Sequence, residues 1–220
     1  MIAIDGPAGS GKGTLGRRLG ETLDFPVLDT GLLYRAVGFI VRQNNQSLDD
    51  ESAALHAADA LHDELTTDFL HNPALRSADS GQAASVVSAY SSVRQALFDL
   101  QRRFALKPPH GKKGAILDGR DIGTVICPDA DIKFYLTADT DIRAARRAKE
   151  LYADRWEEHL SALIDQTRQR DRRDSDRAVA PLKPAMDALI IDTSTVDADA
   201  VFQIALNHIH TKLPAFKISA

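Results

Sequence analysis

The sequence predicts an α/β fold with a central parallel sheet covered by helices on both faces. Three observations carry this. Short apolar runs alternate with longer segments of helical spacing along the whole chain. The first run stops at a glycine-rich turn, "GPAGSGKGT" (6–14), and helical spacing begins at once after it. Gly6, Thr30 and Asp118 each stand at the end of a short run. In a parallel sheet they would gather at the carboxyl edge, where such folds bind ligands.

Met1–Asp5 reads as a buried strand feeding the glycine turn, and residues 11–22 as a helix with Leu15 and Leu19 on one side. "FPVLD" (25–29) is a second strand, followed by a long helix carrying Leu33, Val37, Ile40 and Val41. Residues 49–65 open with acids, which the positive end of a helix favours. Residues 66–80 show no sustained period and contain Asn72-Pro73, so they read as an irregular connection. Helical spacing returns as one stretch from Gln82 to Leu106. "GAILDG" (114–119) and "IKFYLTA" (132–138) are buried strands, and 139–173 is a polar helix. "ALIIDTS" (188–194) is the last strand and 197–212 the last helix.

The chain has 220 residues, room for one sizeable domain, and its 44 % hydrophobic content supports a core. Lys and Arg total 27 against 31 Asp and Glu, a net charge of −4, which argues against a general nucleic-acid binder. The single Cys127 has no internal disulfide partner, and beside Pro128 it reads as a small packed residue. No apolar run reaches the roughly 18 residues of a membrane span. A glycine at position 6 leaves no room for a signal peptide. The expectation is a cytoplasmic protein. The seven histidines show no paired metal-ligand spacing.

The glycine loop carries the clearest chemistry. Gly6, Gly9, Gly11 and Gly13 let backbone N–H groups turn toward phosphate oxygens, and the helix that follows adds its positive end. Lys12 supplies a mobile point charge for the terminal phosphates. A glycine-rich turn with a surface lysine is the plain alternative. In the commonest form of such loops, Ser or Thr follows the lysine directly. Here Gly13 follows it and Thr14 comes one place later.

G-x-x-G-x-G-K-G-T resembles the loop of nucleoside monophosphate kinases, in which glycine follows the lysine. Shikimate, gluconate and thymidylate kinases fit less well. Three further segments, "LDTGLLYR" (28–35), "DGRDIGT" (118–124) and "RDRRDSDRAVAPL" (170–182), are similar to bacterial cytidylate kinases in order and spacing. The resemblance runs from Ile2 to the last helix. It implies a three-layer P-loop kinase fold, a single domain over 1–220. Its core is 1–65, 86–138 and 178–220, with a shortened NMP-binding insert at about 66–85 and a helical lid at about 143–177. The family usually carries about forty residues with a small sheet before the base-reading serine, and this chain has only 66–84 there.

The implied activity is transfer of the ATP γ-phosphoryl to CMP or dCMP, giving CDP or dCDP. Mg²⁺ would be held mainly through ATP and water, with no direct protein ligand. The ATP site would comprise Gly6, Pro7, Ala8, Gly9, Ser10, Gly11, Lys12, Gly13 and Thr14, with Arg146 and Arg147 of the lid. The acceptor nucleotide would meet Thr30, Arg35, Ser85, Arg94, Arg120, Asp121, Arg170, Asp174 and Arg177. Arg35 resembles the arginine that grips the acceptor phosphate, and Ser85 and Arg94 the pair on the cytosine ring. Arg170 and Asp174 match positions holding the sugar, and Arg177 a contact near base and phosphate. Lys12, Arg120 and Asp121 are the catalytic candidates.

The residues suit that chemistry. Phosphoryl transfer needs positioning and positive charge more than covalent help. Guanidinium groups meet phosphate in a fixed fork. Cytosine offers O2 and N3 as acceptors and N4 as a donor, and Asp121 is the candidate for N4. Asp118 either orients a metal-bound water or caps a turn. Arg76 also resembles a contact of this region. Residues 143–177 hold nine arginines, one lysine and eight acids, too balanced for a nucleic-acid patch. Arg143, Arg146 and Arg147 match lid arginines, and lid closure would exclude water from the donor.

The expected partners are ATP and CMP or dCMP, with no nucleic acid or membrane, in a monomer. Two other readings fit the same loop. One is a kinase for UMP or AMP. The other is a non-catalytic nucleotide-binding regulator, against which the acceptor set of Arg35, Asp121, Arg170 and Arg177 counts.

Overall fold

The computed structural model describes residues 1–64, 70 and 72–214. Five parallel strands form one sheet: β1 (Ile2–Asp5), β2 (Val27–Asp29), β3 (Ile116–Gly119), β4 (Ile132–Thr137) and β5 (Leu189–Asp192). Their order is β2-β3-β1-β4-β5. The helices are α1 (Lys12–Leu23), α2 (Thr30–Gln43), α3 (Glu51–Glu64), α4 (Ala78–Val87), α5 (Ser91–Leu106), α6 (Thr140–Tyr152), α7 (Trp156–Asp176) and α8 (Ala198–Lys212). The predicted α/β class and parallel sheet hold.

Strand alternation builds two cores. Ile2 and Ile4 join Leu15, Leu19, Phe134, Leu136, Phe202 and Ile209 on the face covered by α1 and α8. Ala3 and Leu117 join Leu33, Val37, Leu61 and Leu97 on the face covered by α2, α3 and α5. β1 lies between β3 and β4. The chain leaves it toward β2 and later returns on its other side as β4, so the sheet reverses winding there. Such a switch point opens a crevice at the carboxyl ends of the strands, and the glycine loop sits on it.

Two stretches read as single helices are in fact pairs. The 82–106 stretch divides at Ser88–Tyr90, where Tyr90 turns extended (φ −75°, ψ 126°) before α5. Helical spacing runs on across that break, with neither glycine nor proline to mark it. The 139–173 stretch divides at Ala153, which adopts φ 47° and ψ −119°. α6 and α7 therefore fold back as a hairpin with its own small core of Ala144, Ala148 and Leu163. The connection read as irregular over 66–80 is shorter than expected. Pro73–Arg76 forms a 3₁₀ turn and α4 starts at Ala78, with Ser77 capping it through the Ser80 N–H at 3.1 Å. Residues 65–69 and 71 of that stretch and of the 49–65 helix lie outside the described residues.

Candidate active site

β1 delivers the loop and α1 receives it, starting at Lys12. Gly6 has φ 145°, and a Cβ there would stand 2.0 Å from the Leu136 carbonyl oxygen, so only glycine turns the chain this close to β4. At Gly13 the space differs: a Cβ would rest 3.5 Å from Asp118 Oδ2, an ordinary contact. The lysine-glycine pair is thus not forced by sterics; the missing side chain leaves room beside Asp118. Lys12 Nζ curls back, donating to the Pro7 carbonyl at 3.0 Å and standing 3.8 Å from Asp118 Oδ1. Burial pushes the Lys12 ammonium down, Arg120 adds repulsion, and Asp118 and Asp29 oppose both. Burial pushes the Asp118 carboxyl up, against the pull of Lys12. Thr30, at the start of α2, ties the edge together by donating to the Asp118 carbonyl at 2.8 Å.

This edge forms the floor of a cleft of about 810 Å³. Gly9, Gly11, Lys12, Gly13 and Thr14 line one side. Arg35, Arg120, Arg146, Arg147 and Arg170 are among the residues lining the rest, with Asp29, Asp118 and Glu150. Arg120 donates to Asp174 Oδ2 at 3.0 Å, and Arg170 Nε lies 4.0 Å from the same oxygen. Burial, then Arg120, pushes the Arg170 guanidinium down, and burial, then Arg147, does the same to Arg35. One carboxylate therefore faces two guanidiniums. A wall with surplus positive charge at a phosphate loop suits a second anion.

A smaller cavity of about 50 Å³ opens from the same wall. Tyr34, Ala84, Ser88, Arg94, Asp121 and Arg177 line it, and it shares Asp29, Asp118, Arg120 and Arg170 with the cleft. Arg94 and Asp121 form a buried ion pair, and Arg177 Nη2 stands 3.8 Å from the other oxygen of Asp121. Ser85 is buried just behind this lining, and its hydroxyl accepts from Arg173 Nε at 3.1 Å.

The helical hairpin supplies the remaining arginines, in unequal roles. Arg143 is a buried bracket, donating to Ala138, Ala8, Thr140 and both oxygens of Asp171. Arg146 reaches Thr193 Oγ1 at 2.9 Å, and Thr193 in turn donates to the Ser10 carbonyl at 3.1 Å. Arg147 donates to the Arg76 carbonyl at 3.0 Å and pairs with Glu150 at 2.8 Å, which puts the hairpin against the 3₁₀ turn.

The family model described as "Cytidylate kinase" matches residues 2–211. The chain belongs to the cytidylate kinase family. It is 52 % identical over 206 residues to a cytidylate kinase of Methylocella silvestris, covering 94 % of this chain and 92 % of that one. It is 50 % identical over 212 residues to one of Paramagnetospirillum magneticum, covering 96 % and 98 %. Among solved structures, an uncharacterized protein from Eubacterium ventriosum superposes with a TM-score of 0.55 at 14 % identity, over 96 % of this chain and 97 % of that one, a likeness of fold alone.

Within this family member, the expected site residues fall into three groups. The loop residues, Arg35, Arg120, Arg170, Arg146 and Arg147 border the large cleft, except that Gly6, Pro7 and Ser10 stand behind its lining. Thr30, Arg94, Asp121, Asp174 and Arg177 border the small cavity. Ser85 borders neither, with Ala84 and Ser88 lining the cavity in its place. Sequence reasoning missed Asp29, Thr193 and Arg173. Asp29 carried a signal, a carboxylate ending a strand beside Thr30. Thr193 and Arg173 carried none, because their partners, Arg146 and Ser85, stand far away in the sequence. Among the described residues, no three His, Cys, Asp or Glu side chains group as a metal cage. No helix among them is long and apolar enough to cross a membrane.

Proposed function

We propose that the protein is an ATP-dependent kinase moving the γ-phosphoryl of ATP to CMP or dCMP, with release of ADP and CDP or dCDP. The observation that carries this reading is the shared wall: the large cleft over the phosphate loop and the small cavity behind Arg120 meet along Asp29, Asp118, Arg120 and Arg170. Two nucleotides seated there would meet phosphate to phosphate. The Arg94–Asp121 pair suits cytosine. N4 donates and N3 accepts on one ring edge, so the base can insert between the pair and leave neither charge unsatisfied. Uracil presents the reverse pattern.

In this reading Lys12 and the loop N–H groups hold the donor phosphates, and Arg35, Arg120 and Arg170 hold the acceptor phosphate. No general base is required, because the attacking phosphate oxygen is already ionised. Asp29 and Asp118 would hold Mg²⁺ through its waters, leaving the direct ligands to the substrate phosphates. When bound there, Mg²⁺ offsets charge on the phosphoryl being transferred. The α6–α7 hairpin acts as the lid over the donor, and the α4 region as the short acceptor-side insert. A monomer working in the cytoplasm belongs to the same reading.

Lys12→Met tests the donor half. It removes the charge aimed at the transferring group while keeping an apolar stem of similar length in a buried slot. The expected result is a fall in kcat of two orders of magnitude or more, with an unchanged circular dichroism spectrum. Retained turnover in the folded variant would remove the loop from the mechanism.

A further inference from the structure

Asp5 ends a strand that is otherwise apolar and buried on both faces, and it is itself 3 % exposed. A carboxylate in such a place is costly unless its oxygens are satisfied. Its hydrogen-bond partners are two backbone groups far along the chain. Ile122 N–H donates to Oδ1 at 2.8 Å and Gly123 N–H to Oδ2 at 2.7 Å. These are the first two residues of a single π turn, Ile122–Ile126, whose leading N–H groups have no carbonyl of their own turn to meet. The two residues just before that turn are Arg120 and Asp121, and the residue just after Asp5 opens the phosphate loop.

One carboxylate therefore joins the donor strand to the segment that carries two acceptor-side residues. The turn sits close against it: a Cβ on Gly123 would stand 3.1 Å from Lys133 Cδ and 3.4 Å from Asp5 Oδ2. Burial pushes the Asp5 carboxyl up to about 6, against the two N–H bonds that stabilise its anion. An apolar residue would fill the same space at less cost, but it would leave both N–H groups unpaired.

We infer that Asp5 is a positioning residue for the acceptor side: its carboxylate caps the π turn and thereby fixes where Arg120 and Asp121 stand relative to the phosphate loop. This rests on the kinase reading above. Asp5 does not touch the reacting atoms in this account; it acts through the turn.

Asp5→Asn keeps the shape but offers one acceptor oxygen, so one of the two N–H groups faces an NH₂ instead. The expected result is a rise of at least tenfold in KM for CMP, with KM for ATP within twofold of wild type. An unchanged KM for CMP would overturn the proposal. So would an equal rise for both substrates, which is the mark of general loosening. Wild-type turnover with CMP is the control, and its absence would count against the kinase reading instead. Amide exchange in the wild-type protein decides the matter even if Asp5→Asn does not fold. The Ile122 and Gly123 amides are expected to gain protection when CMP is added and not when a non-hydrolysable ATP analogue is added alone. Amides that ignore CMP would sink the link between turn and acceptor.

Discussion

Arg170 shows how the site trades stability for charge. Its Nε is buried without a hydrogen-bond partner among the described residues. Burial and then Arg120 disfavour its charge, and Asp174 offers partial relief at 4.0 Å. Arg170→Met is expected to be at least as stable as the parent in thermal melts, while KM for CMP rises tenfold or more, about 1.4 kcal/mol. A destabilised variant with unchanged KM would mean that the arginine is structural. Asp174 should behave in the opposite way. Burial pushes its carboxyl up, but Arg120 and Arg170 overcome this and hold it below the ordinary 3.8. A carboxyl depressed in the folded state contributes stability above the unfolded pKa and loses it as pH falls through the folded one. Asp174→Asn leaves two guanidiniums uncompensated and is expected to cost about 3 kcal/mol near neutral pH. Comparing melts of parent and variant should show that gap closing as pH drops below 3.8. A gap independent of pH would contradict the assigned pairing.

At the scale of elements, the α6–α7 hairpin turns on one strained residue. Ala153 sits at φ 47° and ψ −119°, a conformation suited to glycine, in the turn joining α6 to α7. Ala153→Gly is expected to stabilise by about 0.5–1 kcal/mol, a melting shift of roughly 1–4 °C in a chain this size, because relief of strain outweighs the added chain entropy. A lower melting temperature would mean that the turn is not strained. The same residue explains why the hairpin was illegible in the sequence. Helix ends are read most clearly from glycine and proline, and "LYADRW" has neither, its bend falling on an alanine. The break at Ser88–Tyr90 hid because it has neither glycine nor proline and helical spacing runs on across it. The strands were legible because each is a short apolar run ending at a glycine or a polar residue, as in "AILDG" and "IAIDG". The π turn at Ile122–Ile126 was not, since its geometry depends on a carboxylate from another strand.

Over the whole molecule, net charge misleads. The chain carries −4, yet the cleft wall gathers Arg35, Arg120, Arg146, Arg147 and Arg170 around the phosphate loop. Local field, not the total, draws phosphates into such a site. The loop was readable because backbone conformation is written locally in glycine spacing. The arginines of the cleft wall became readable only through resemblance, because a helical arginine carries no local mark of the cavity it faces. Contacts across the fold, such as Arg173 on Ser85 and Arg146 on Thr193, needed the structure. The central claim is that two nucleotide pockets meet at one wall and pass a phosphoryl group across it. It is tested most directly by ADP release from ATP–Mg²⁺, with CMP, dCMP, UMP, AMP and GMP each offered as acceptor. The account predicts strong turnover with CMP and dCMP and little with the other three; equal rates across all five, or none at all, would contradict it.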